Sequence, residues 1–121
     1  MANKQKRGAP RRDVKIAVEV AHESQLQKFF SKNLSEGGIF LEMEEFIPLN
    51  NELQLAFSIP GFKKQIKLTA KVVRHHKMQS MDENFNPIEI KGIGLAFVNV
   101  SQEDRVIIEN YISGKGLSIQ G

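Results

Sequence analysis

Two short clusters in this sequence combine residue types and spacings that suit ligand binding. The first is Arg7-Gly8-Ala9-Pro10-Arg11, with Arg12 directly behind it. A guanidinium is a planar fork of donors that pairs bidentately with phosphate oxygens or with the O6/N7 edge of guanine, and it also stacks on a purine face. Pro10 disfavours the helical region for Ala9, so the arginines sit on an extended or turned strap and not on one helix face. The second cluster is Asn33-Leu34-Ser35-Glu36-Gly37-Gly38. On an extended segment Asn33 and Ser35 point to the same face, and the following glycines permit positive φ or close backbone approach. Taken alone, this cluster is a turn whose Asn and Ser bond to local backbone.

The remaining reactive side chains do not assemble a catalytic centre. Ser35 lacks the Gly-x-Ser-x-Gly elbow that would expose a nucleophile. His75 and His76 are adjacent, so on a strand they face opposite ways, a poor arrangement for holding one metal ion. Glu42, Glu44 and Glu45 lie near a strand end, where they keep the chain soluble. The glycines match neither Gly-x-x-x-x-Gly-Lys-Ser/Thr nor Gly-x-Gly-x-x-Gly, so neither nucleotide fold is supported. Gly92-x-Gly94 is better read as a bend where backbone or ligand approaches closely. No enzymatic activity, metal or cofactor is expected.

Charge divides the chain more sharply than its total of +3 suggests. Residues 1–12 carry Lys4, Lys6, Arg7, Arg11 and Arg12 and no acid, a charge of +5. The remaining twelve basic and fourteen acidic residues leave the body at −2. Such an arm seeks an anion: a phosphate-bearing ligand, a nucleic acid or a membrane surface. The 121 residues suit one domain, and no apolar run is long enough to span a membrane. The basic N-terminus lacks the apolar stretch of a secretory signal. The absence of cysteine excludes disulfides and is compatible with the expected cytoplasmic location.

These clusters must be positioned by the elements around them. Val14, Ile16, Val18 and Val20 alternate with more polar residues, as do Leu53 to Ile59 and Ile66 to Val72, which predicts half-buried strands. Gln27 to Leu34 is a less regular strand because Phe29 and Phe30 are adjacent. Ile39 to Met43 and Gly92 to Val100 supply two more strands, the latter with Ile93, Leu95 and Phe97 on one face. His75 to Ile90 is polar and long for a hairpin, either a loop or a poorly marked strand end. One helix follows, with Ser101 as N-cap, Asp104 as its capping-box partner and Gly114 just past its end. The expected fold is mainly β: a six-stranded antiparallel β-barrel with a C-terminal α-helix. The expected division is a flexible basic arm over 1–12, the barrel and helix over 13–113 and a tail over 114–121.

On these residues the sequence resembles the PilZ domain family, bacterial receptors for cyclic di-GMP. That family carries an Arg-x-x-x-Arg arm followed by Asp/Asn-x-Ser-x-x-Gly at a strand junction, here Arg7 to Arg11 and Asn33 to Gly38. Gly92-Ile93-Gly94-Leu95-Ala96-Phe97 is similar to the family's late Gly-x-Gly-x-x-Phe strand, so the resemblance spans about residues 6 to 113. It implies that cyclic di-GMP binds through Arg7, Arg11, Asn33, Ser35, Gly37, Gly38 and Gly94, with Arg12 as a second frame for the arm's last arginine. Asn33 stands where Asp is common, and its amide still accepts from guanine N–H groups, without charge assistance. The implied function is that of an adaptor: ligand orders the arm, and the new surface is presented to a downstream protein. Two other readings are a small barrel that binds RNA or DNA through the arm, and a PilZ-like protein-interaction module without ligand. An acidic body with eight Phe and one Tyr, and no evident stacking stripe, weighs against nucleic acid. Retention of both motifs weighs against the ligand-free module.

Overall fold

A computed structural model describes residues 11–114. Seven strands and one helix follow in chain order: β1 Arg11–Asp13, β2 Ala17–His22, β3 Gln25–Ser35, β4 Gly38–Glu42, β5 Glu52–Ser58, β6 Gln65–Met81, β7 Pro87–Asn99 and α1 Gln102–Ile112. All pairings are antiparallel, and the order β3-β2-β5-β6-β7-β4 returns to β3. The expected six-stranded barrel with a C-terminal helix is therefore present. Closure leaves no free edge around most of the barrel.

The extra strand corrects the sequence reading of the arm. Arg11 and Arg12, assigned to a flexible segment over 1–12, form β1 with Asp13 and pair with Asn33 to Ser35. β1 and β2 lie end to end along the same edge of β3 and are one strand with a break at residues 14–16. Ser31, buried in β3, fills the break: Ile16 N–H donates to its Oγ at 3.1 Å, and that hydroxyl donates to the Val14 carbonyl. Backbone bonds from Val14 N–H to Lys32 O and from Ser31 N–H to Ile16 O carry the ladder across. The alternation of Val14, Ile16, Val18 and Val20 looked continuous because one hydroxyl replaces the missing backbone partners.

Alternation elsewhere translates directly into burial. Val18 and Val20, then Leu53, Leu55 and Phe57, then Ile66, Leu68, Ala70 and Val72 turn into the barrel, joined by Leu34, Leu41, Ile93 and Leu95. The segment His75 to Ile90, left open between loop and strand end, is strand on both sides of a tight turn at residues 82–86. β6 runs to Met81 and β7 starts at Pro87, paired from Lys77↔Lys91 to Met81↔Pro87. This part of the hairpin is largely exposed on both faces, so it shows no hydrophobic period. At its tip Asp82 accepts from the N–H groups of Asn84 and Asn86, which holds its carboxyl below the usual range.

Helix α1 closes the core with Ile108 and Tyr111. Ser101 caps it, its Oγ accepting from Asp104 N–H at 3.1 Å. The expected capping box is only half used, because the buried Asp104 carboxylate turns to Lys64 at 2.6 Å. That contact raises the Lys64 pKa above its ordinary value. Gly114, at φ +84°, terminates the helix, its N–H donating to Tyr111 O at 3.1 Å.

Candidate functional site

The junction of β3, β4, β6 and β7 forms an open cleft of about 170 Å³. Arg11, Asn33, Ser35, Gly37, Gly38 and Gly94 all line it. Register is the cause: Asn33 and Ser35 alternate about Leu34, whose side chain is fully buried, so both polar groups face the cleft. Arg11 stands opposite Ser35 across the β1–β3 ladder. The two polar residues and one arm arginine are thus juxtaposed by backbone pairing alone.

The glycines have different jobs. Neither Gly37 nor Gly38 uses the positive φ that glycine would permit. Gly38 is needed for close approach, since a Cβ there would stand 2.3 Å from Leu95 O. Gly37 has open space around its α-carbon, and its carbonyl accepts from Phe97 N–H at 2.9 Å. Ser35 Oγ donates to Gly38 O at 3.3 Å, the local bond expected of a turn. Asn33 makes no such bond among the described residues, which leaves its amide free to face the cleft.

Arg12 is turned elsewhere. Its Nη1 donates to Tyr111 O at 2.7 Å, and its guanidinium lies 4.1 Å from the centre of the Tyr111 ring. It supplies the cation that the last turn of α1 lacks, which favours the helix dipole. Adjacent residues on a strand face opposite ways, so Arg11 addresses the cleft while Arg12 holds the helix. Arg7 lies outside the described residues.

One lining residue was not singled out from sequence. Arg74 of β6 pairs with Gly94 after a bulge at Val73, and its guanidinium lies across that glycine. A Cβ at Gly94 would meet Arg74 Nη2 at 3.1 Å and its Cζ at 3.3 Å. Gly94 is therefore a floor for a side chain, a more specific role than a barrel bend. Neither Arg74 nor Arg11 has a carboxylate partner among the described residues. The cleft thus offers two unopposed guanidinium groups beside an amide and a hydroxyl, an arrangement suited to an anion with hydrogen-bonding edges. The one signal in the sequence was the paired glycines at 92 and 94, and register was needed to say what covers them.

The histidines fall outside the cleft and on opposite faces. His75 stacks on Phe46 at 4.5 Å and shares a 2.7 Å hydrogen bond with Ile47 O, while His76 meets Phe40 edge-on. No metal-binding group of three or more side chains occurs among the described residues.

A family model for the PilZ domain matches residues 5–114. The chain belongs to the PilZ domain family. Its fold is shared by solved structures of low sequence identity. The PilZ domain of YcgR from Escherichia coli, solved with c-di-GMP, has a TM-score of 0.67 at 15% identity, covering 86% of each chain. The Bacillus subtilis inhibitor of motility MotI/DgrA has a TM-score of 0.72 at 21% identity, over 88% of this chain and 49% of that one. MrkH, described as a c-di-GMP-dependent transcription regulatory factor, gives 0.77 at 17% identity over 93% of this chain and 51% of its own. This PilZ chain therefore spans about half the length of MotI and of MrkH. No curated protein matches the sequence significantly. No helix among the described residues of this PilZ domain is long and apolar enough to cross a membrane.

Proposed function

We propose that this PilZ domain is a cyclic di-GMP receptor that acts by binding and not by catalysis. The observation that carries the reading is the convergence of Arg11, Asn33, Ser35 and Arg74 on one cleft, with no carboxylate among the described residues to neutralise the arginines. Cyclic di-GMP carries two phosphate anions and two guanine edges, which match bidentate guanidinium donors. Asn33 and Ser35 supply uncharged acceptors and donors for a guanine edge or a phosphate oxygen. Arg7, four residues before Arg11, closes over the ligand from the segment preceding β1. Arg12 is assigned to the helix, which makes Arg7 and Arg11 the working pair of the arm.

The receptor acts as an adaptor in the cytoplasm. Ligand bridging Arg7 and Arg11 to the cleft fixes the segment before β1 and presents a new surface to a downstream protein. Calorimetric titration with cyclic di-GMP tests the reading and returns its stoichiometry. Heat release with saturation is expected, lost on Arg11→Ala and reduced at least tenfold on Arg74→Ala. Wild-type protein without binding at high micromolar ligand overturns the receptor assignment. A gel shift with unrelated oligonucleotides that cyclic di-GMP fails to compete would point to the basic arm as a nucleic-acid contact.

A further inference from the structure

At the end of the barrel away from Ser35, β4 stops too early. Phe30, Glu42 and Gly92 stand side by side on β3, β4 and β7, and there the ladder is complete on both sides of β4. One bond further, Met43 N–H donates to Lys91 O at 3.0 Å, and the chain then turns away. β3 continues past this point over Gln25–Phe29 and β7 over Pro87–Lys91, each paired on its far side only. Beside β4 the two strands stand one strand-width to either side, and the space between them past Glu42 lies on the line that a longer β4 would follow. That space is a cleft of about 650 Å³.

The backbone groups that face it follow from the hydrogen bonds at its mouth. Ser31 N–H bonds to β2 through Ile16 O, so Leu26 and Lys28, of opposite parity, turn their N–H and C=O groups into the cleft. Lys91 O accepts from Met43, so Glu89 shares that direction, while Ile88 and Ile90 bond to β6. Two sheet edges whose donors and acceptors have no partner among the described residues thus face each other. Beside them Leu26, Phe30 and Ile88 are exposed on one face. The charges at the rim are of both signs, Lys28 and Lys91 against Glu42, Glu44 and Glu89, and nearly cancel.

We infer that this cleft receives an extended segment of a partner protein, which completes β4 by pairing with β3 and β7 at once. Only an extended polypeptide backbone satisfies both edges. The edge of a second sheet does not fit, because β3 occupies the far side of anything paired with β7. That argues against a second copy of this chain joined through its own hairpin. The segment carries an apolar side chain at every second position, to cover Leu26, Phe30 and Ile88. This assignment is independent of the dinucleotide reading, which concerns the opposite end of β4.

A displayed library of random dodecapeptides, selected on the full chain, tests it. Enriched peptides are expected to alternate apolar residues and to slow amide exchange at Leu26, Lys28 and Glu89. Glu89→Pro removes a cleft-facing N–H without cutting a bond to β6, and it is expected to weaken the selected peptides at least tenfold. Glu89→Ala keeps that N–H and should leave binding within about twofold. Ile88→Lys, which spares the backbone, should weaken binding through the lost apolar contact. The proposal is overturned by equal binding to wild type and a folded Glu89→Pro, or by a library that yields no binder. It is equally overturned if those amides are already protected in the protein alone, with a terminal segment or a second copy filling the cleft.

Discussion

Two neighbouring arginines show how much depends on which way a side chain faces. Arg11 and Arg12 carry the same group and are adjacent in sequence, yet the first lines the cleft and the second binds Tyr111. Their substitutions should therefore separate. Arg11→Ala is expected to abolish detectable cyclic di-GMP binding with little change in melting temperature. Arg12→Ala is expected to lose about 1 kcal/mol of stability, the scale of an exposed cation–π contact with a helix-end bond, with a smaller change in affinity. Calorimetry and thermal unfolding of the two variants check this, and the reverse pattern would exchange their roles. Gly94 follows the same logic, since its missing Cβ matters only because Arg74 lies over it.

At the scale of elements, the break between β1 and β2 rests on one hydroxyl. Ser31→Ala removes the hydroxyl that partners both Ile16 N–H and Val14 C=O and should cost about 1–3 kcal/mol, read by denaturant unfolding. Because β1 carries Arg11, ligand affinity should fall with it. The β2–β3 hairpin turns through Glu23 at φ +50° and Ser24 at φ +65°, both left-handed and neither glycine. Replacing the pair with Asn-Gly should stabilise the protein by about 1 kcal/mol, measured as a raised denaturant midpoint. Helix α1 meets the β3–β4 turn through two acids, Glu109 and Glu36. A hydrogen bond that the two carboxyls can share only when one is protonated, together with repulsion between their charges, raises the Glu109 pKa. A raised carboxyl pKa favours the fold when the group is protonated, and that advantage is lost as pH rises through it. Glu109→Gln should therefore raise the melting temperature at pH 7 and lose its benefit in acid, and an unchanged difference across that range would count against the pairing.

Over the whole molecule, charge and topology give the two ends of β4 different surroundings. The N-terminal stretch of +5 precedes a body of −2, and the ligand proposed for the cleft beside it is an anion. Cyclic di-GMP affinity should fall as sodium chloride rises from about 50 to 500 mM, because screening reaches the exposed arginines. Titrations across that series check the prediction, and an affinity independent of salt would remove the arm from the binding energy. At the far end, the cleft between β3 and β7 offers backbone edges, with charges of both signs at its rim. One barrel thus presents two surfaces of different chemistry, joined by the five residues of β4.

Much of this was legible in the sequence because half-burial writes a period of two into a strand. Val18 and Val20, Leu53 to Phe57 and Ile66 to Val72 announced their faces in that way, and Ser101 and Gly114 marked the helix by the chemistry of its ends. The motifs at Arg7–Arg11 and Asn33–Gly38 pointed to the family because their residue types and order are unusual together. The β6–β7 extension was not legible, since strands exposed on both faces carry no period. Arg74 was not either, because its meaning lies in a register with Gly94 that depends on a bulge at Val73. The amino-acid sequence by itself determined the barrel, the helix and the family to which its two motifs belong. Only the tertiary structure decided which arginine faces the cleft, what lies over each glycine and where a strand is missing, because those depend on neighbours brought together by pairing and not by order.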